Sequence, residues 1–210
     1  MTYARIGAAA RPHALAIMGG LHEGDGTVVL LGPGEGFWPH FKQSTEGRDG
    51  APDPIDRWST RVINTLAKEL GAEALFPFGG PPYEPFLRWA TDSGRAWQSP
   101  AGMLVHDVAG LMVSYRGALR FADTVELPAP PAIAPCHTCE GQPCITACPV
   151  DALSAARGYD VAACHAYLDT KAGQDCMNFG CRARRACPIS QSFERDPAQS
   201  ALHMRSFHKT

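Results

Sequence analysis

Cysteine is absent from the first 135 residues of this 210-residue chain. All eight cysteines lie between Cys136 and Cys187, so thiol chemistry is confined to the C-terminal part. Charge is also sparse, at 19% of residues, which excludes the charge-rich, weakly apolar composition of a disordered chain. A net charge of −2 gives no overall bias toward nucleic acid or an anionic membrane surface. No run approaches the roughly 20 apolar residues that span a bilayer. The stretch from Met1 to Arg11 has neither a long apolar core nor a twin-arginine pair. A cytoplasmic protein without a membrane span is expected. Gly32-Pro-Gly-Glu-Gly36 follows a strand-like run but lacks the Gly-Lys-Ser/Thr of a phosphate-binding loop, so it reads as a turn. No Ser-His-Asp set or pair of catalytic carboxylates points to a hydrolase.

What is present has a mixed pattern. Residues 1–26 carry no clear periodicity. Thr27 to Leu31 reads as a buried strand. The aromatic run Phe37 to Phe41 leads into a polar loop. A helix is expected over residues 54–70, with Asp53 as N-cap, Pro54 in the first turn, and Ile55, Trp58, Val62, Leu66 and Leu70 on one face ahead of Gly71. Further strands are expected at Ala74–Phe78, Met103–His106, Leu111–Tyr115 and Arg116–Phe121, with a hairpin turn at Asp107–Gly110 and a short helix over Glu84–Thr91. Strands and helices in this order imply an α+β fold: a domain of mixed α/β structure over residues 1–125. Four prolines between Glu126 and Pro135 make a stiff connector. A cysteine domain is expected over residues 136–190 and a tail over residues 191–210.

The thiols come as two sets of four. Cys136, Cys139, Cys144 and Cys148 end in Cys-Pro, and so do Cys164, Cys176, Cys181 and Cys187. In a reducing compartment such cysteines serve as metal ligands rather than disulfides, although an even number also fits a disulfide scaffold. Two Cys₄ zinc sites would use eight thiolates too. Only one C-x₂-C pair occurs, however, and the Cys-Pro endings point to [4Fe–4S] clusters. In the two-cluster ferredoxin pattern, the cysteine ahead of proline reaches the other cluster. Transferred here, cluster 1 takes Cys136, Cys139, Cys144 and Cys187, and cluster 2 takes Cys148, Cys164, Cys176 and Cys181. The spacing is wider than in that pattern, and Gly141 and Pro143 are expected to fold the extra residues into a turn. Ile145, Val150, Leu153, Phe179 and Ile189 are expected to keep the clusters dry. Arg182, Arg184 and Arg185 lie between two ligands, where they could favour a reduced cluster or dock an acidic partner. His137 and His165 adjoin ligands and are read as neighbours rather than ligands.

Cys144-Ile-Thr-Ala-Cys148-Pro-Val-Asp-Ala-Leu153 resembles the ending of a bacterial ferredoxin motif. With Cys164-His-Ala-Tyr-Leu-Asp-Thr170 and the Cys176, Cys181, Cys187-Pro188 set, residues 136–190 resemble the two-cluster domain of the epoxyqueuosine reductases and reductive dehalogenases. Ala96-Trp97, Met103–His106 and Gly110–Val113 are similar to the segment ahead of that domain. The resemblance implies a nitroreductase-like N-terminal domain that holds a cobalamin fed by the clusters. Where that family places an acidic proton donor, Phe78-Gly79-Gly80-Pro81 has no Asp. The primary expectation is an electron-transfer protein carrying two [4Fe–4S] clusters and serving a redox partner protein. The alternatives are a cobalamin- or flavin-dependent reductase with an N-terminal active site, and a zinc-stabilised interaction protein. No catalytic residue is assigned. His106, Tyr83 and Glu84 are candidate pocket residues whose plainer reading is structural.

Overall fold

A computed structural model describes residues 1–209. Helix α1 (Tyr3–Ala10) leads into β1 (Leu15–Glu23), which turns tightly at Gly24-Asp25 into β2 (Gly26–Pro33). Helices α2 (Phe37–Gln43) and α3 (Pro54–Leu70), strand β3 (Glu73–Leu75) and helix α4 (Phe86–Asp92) follow. Next come β4 (Ala96–Gln98), β5 (Leu104–His106) and β6 (Gly117–Phe121). The α+β class is therefore observed. No helix among the described residues is long and apolar enough to cross a membrane.

The chain forms two compact units: residues 1–95 with 114–130, and residues 96–113 with 131–209. The change at residue 130 falls inside the expected connector. The N-terminal domain, however, is not the continuous 1–125 that was expected. Residues 96–113 pack with the cysteines because their apolar side chains find a core there.

The first unit is built on an antiparallel sheet of order β1-β2-β6-β3. Successive strand residues point to opposite faces, yet Val28, Val29, Leu30 and Leu31 are all fully buried. Both faces of inner strand β2 are therefore covered, which explains its unbroken apolar run. Helix α3 lies against β3 and β6, and buries Ile55, Trp58, Val62, Leu66 and Leu70 as its 3.6-residue period requires. Asp53 does not cap it. Its backbone is left-handed (φ 49°, ψ 48°), and no side-chain cap bond forms; capping needs an extended residue here. The aromatic run is helical because Phe37 and Phe41 are one turn apart and both reach Trp58, at ring distances of 5.2 and 6.4 Å.

Strand expectations at Phe76–Phe78 and Leu111–Tyr115 are not met. β3 ends at Leu75, and β5 pairs backwards with β4 rather than forwards with residues 111–115. The turn at Asp107–Ala109 is instead closed by a single bridge between His106 and Gly110.

Glu46, 8% exposed, receives two bonds from Arg61 on α3, at 2.6 and 2.9 Å. The guanidinium holds its carboxyl well down, from 4.5 to about 2. A depressed carboxyl stabilises the fold above its unfolded value, and that stability is lost as pH falls toward the folded one. Glu46→Gln should therefore cost about 1–2 kcal/mol at neutral pH and progressively less below about pH 4, as read by urea denaturation across that range.

Candidate functional site

All eight cysteines are free thiols in the second unit. This unit has the β4–β5 hairpin, a smaller hairpin of β7 (Leu153–Ser154) and β8 (Gly158–Tyr159), and five helices: α5 (Val161–Leu168), α6 (Gln174–Phe179), α7 (Arg182–Ala186), α8 (Pro188–Ser192) and α9 (Pro197–Phe207). Asp160 caps α5 by accepting from the Ala163 amide at 2.9 Å, which fixes the start of the helix that carries Cys164. Cys187 is extended between α7 and α8, and Pro188 opens α8. Proline suits that position because its fixed φ is helical and its missing N–H has no partner to lose there. Around Cys139 and Cys144 the extra residues turn through left-handed Gly141 and Gln142 (φ 68° and 38°), as expected for an inserted turn.

The four thiols whose surroundings raise them fall into two groups. Burial pushes the Cys136 thiol up, and Cys144, Cys187 and Cys139 push it further. Cys144 is raised by burial, then by Cys187 and Cys139. On the other side, burial raises Cys164; a bond from the Tyr159 hydroxyl opposes this, and Cys181 and Cys148 add to it. Cys176 is raised by burial first, with a contribution from Cys181. The Cys148 sulfur also accepts from the Ala152 amide at 3.3 Å. Each group thus holds four sulfurs whose negative charges would repel, so a cation among them would relieve the strain of ionising them. Among the described residues, no three His, Cys, Asp or Glu side chains converge closely enough to hold a single metal ion.

Packing around the thiols differs from the expected shell. Leu153 is buried, and Ile189 packs on the core beside Cys144 and Cys187. Ile145, Val150 and Phe179 are exposed instead, at 40%, 37% and 51%. The cover comes from Ala101, Val105 and Leu111, which join Cys144, Leu153, Ala183 and Cys187 in one cluster. That contribution has no local signal, since these residues are distant in the chain from the cysteines and lie on no amphipathic helix.

The arginines are engaged. Arg182 bonds Asp175 at 2.7 Å, and Arg185 bonds the same carboxylate. Arg184 donates to the Leu111 carbonyl. His137 is exposed. His165 meets His208 at 2.7 Å, and His208 meets Asp169 at 2.9 Å, so the tail is tied to α5 rather than frayed. The tail packs through Ser200 and Ala201, with α9 against α6, while Phe207 stays 39% exposed. His106 is fully buried in the second unit, where its Nδ1 accepts from the Val108 and Ala109 amides. Tyr83 and Glu84 belong to the first unit, where Tyr83 is exposed and Glu84 faces Arg120 at 3.8 Å. The three candidate pocket residues do not form one group.

No known protein family, curated protein or solved structure matches this chain.

Proposed function

We propose that the protein transfers electrons through two [4Fe–4S] clusters. The observation that carries this reading is that Cys136 and Cys144 are raised, after burial, only by thiols of the set Cys136, Cys139, Cys144 and Cys187, while the thiols that raise Cys164 and Cys176 come only from the set Cys148, Cys164, Cys176 and Cys181. That division coincides with the crossed ligation of a two-cluster ferredoxin-type domain.

When bound, such a cluster accepts and releases an electron at a potential set by charge, hydrogen bonds to sulfur and exposure. The chain supplies all three. The Tyr159 hydroxyl and the Ala152 amide bond to sulfurs of the second group. Arg184, held by the Leu111 carbonyl, brings positive charge beside Cys181. Val105 and Leu111 exclude water from the first group. A redox partner protein and a reducing, cytoplasmic setting go with this reading.

Anaerobic purification should give a brown protein with about eight iron and eight sulfide per chain. Stoichiometric zinc with no sulfide would overturn the reading.

A further inference from the structure

His165 on α5 and His208 beyond α9 face each other inside the second unit, and no thiol takes part in their contact. Their Nδ1 atoms stand 2.7 Å apart. On its other side, His208 Nε2 stands 2.9 Å from a carboxylate oxygen of Asp169. An ionised carboxylate only accepts, so His208 Nε2 carries that ring's proton and its Nδ1 keeps a bare lone pair. The lone pair faces His165 Nδ1. Two bare ring nitrogens repel at this distance, so a cation must lie between them. A proton on His165 Nδ1 meets that need. A metal ion meets it too, once His165 carries its proton on Nε2 instead.

The surroundings hold both rings in place. A carboxylate behind a histidine fixes the tautomer and raises the basicity of metal-binding imidazoles. Phe207 lies against His165 with ring centres 4.6 Å apart, and stacks on Tyr159 at 6.0 Å. His208 is 7% exposed and His165 half-buried. A tetrahedral ion with nitrogen bonds of about 2.0–2.1 Å sets its two nitrogens about 3.3 Å apart. From 2.7 Å, the rings need part by only about 0.6 Å. Imidazole nitrogens suit zinc, copper and nickel, whereas magnesium and calcium prefer oxygen. Among the described residues no third His, Cys, Asp or Glu completes the set, so water takes the remaining positions.

We propose that His165 and His208 bind one divalent ion of the zinc type through their Nδ1 atoms, with Asp169 as the positioning residue behind His208. The ion joins α5 to the segment that follows α9, in place of one shared proton. The site uses no cysteine and does not rest on the two-cluster reading.

The test is equilibrium dialysis of the full chain, its thiols occupied by the metal with which it is purified, against zinc chloride. One zinc should bind beyond that complement, with the original metal retained, and magnesium chloride should not compete. His208→Ala should abolish the extra zinc. Asp169→Ala, which leaves both Nδ1 atoms in place, should weaken it by about 10-fold to 100-fold. Zinc should also slow hydrogen exchange of the α9 amides in the parent chain but not in His208→Ala, because it fastens the tail to α5. The site is overturned by no extra zinc, or by zinc gained only as the original metal is lost. Extra zinc that survives His208→Ala or ignores Asp169→Ala, or unchanged α9 exchange, overturns it as well. None of these outcomes bears on the clusters, which stand or fall on iron and sulfide content.

Discussion

Cys187→Ser is expected to remove the same cluster as Cys136→Ser, and Cys164→Ser the other one. Cys136 and Cys187 stand at opposite ends of the cysteine region, yet after burial Cys144 and Cys187 both raise the Cys136 thiol. Cys187 is also among the buried members of the core that contains Cys144. Serine keeps the volume but offers a hard, weakly acidic hydroxyl in place of a thiolate, so it binds iron poorly. Each single variant should therefore fall from about eight iron to about four. The electron paramagnetic resonance signal of the dithionite-reduced protein then identifies which cluster remains. Cys136→Ser and Cys187→Ser should leave one signal, and Cys164→Ser a different one. If Cys187→Ser instead leaves the signal left by Cys181→Ser, the crossed scheme is wrong.

Gly110→Ala should do comparable damage from a position outside the cysteine run. Gly110 is left-handed (φ 56°), which alone costs an alanine about 1–2 kcal/mol. A Cβ there would also stand 2.5 Å from the Ser190 amide nitrogen and 3.0 Å from the Ile189 carbonyl carbon. These are backbone atoms of α8, just past Cys187-Pro188, and cannot swing aside as a side chain would. Relief requires α8 or the turn to shift, and either motion breaks the 2.9 Å bond from the Leu111 amide to the Ser190 hydroxyl. The expected result is a loss of several kcal/mol in stability and of the cluster held by Cys187, read by denaturation and iron content together. Gly102→Ala serves as a milder control. It is also left-handed, but its Cβ comes no closer than 3.1 Å to its neighbours.

The parts legible in the sequence were those governed by local rules. Helix α3 was visible because its apolar residues repeat over five turns, and Gly71 ends it where expected. The cysteine groups were legible through spacing and the two Cys-Pro steps. Failures came where distant partners decide. Nothing local says that the segment from Leu111 will forgo strand pairing, because what holds the Leu111 backbone is the Ser190 hydroxyl and the Arg184 side chain. Ile145 and Phe179 are apolar beside ligands, yet point outward, since hydrophobicity does not state which side of a short turn faces the core. Asp53 has the right residue type for a cap, but its backbone conformation is wrong.

Residues 96–113 have a further consequence at the ribosome. They emerge before the rest of their unit, which begins at residue 131 and runs to the end of the described chain. At about 5–20 residues per second, the wait for Cys187 and α8 is on the order of 5–15 s. During that time Val105 and Leu111 lack the partners that bury them in the finished protein. Residues 1–95, by contrast, already carry most of their own unit, though β2 and β3 must wait for β6 to join them. The second unit's core and the first group of thiols are therefore completed only when Cys187 appears. The site proposed for the first cluster accordingly forms late, separated in time from the folding of most of the sheet.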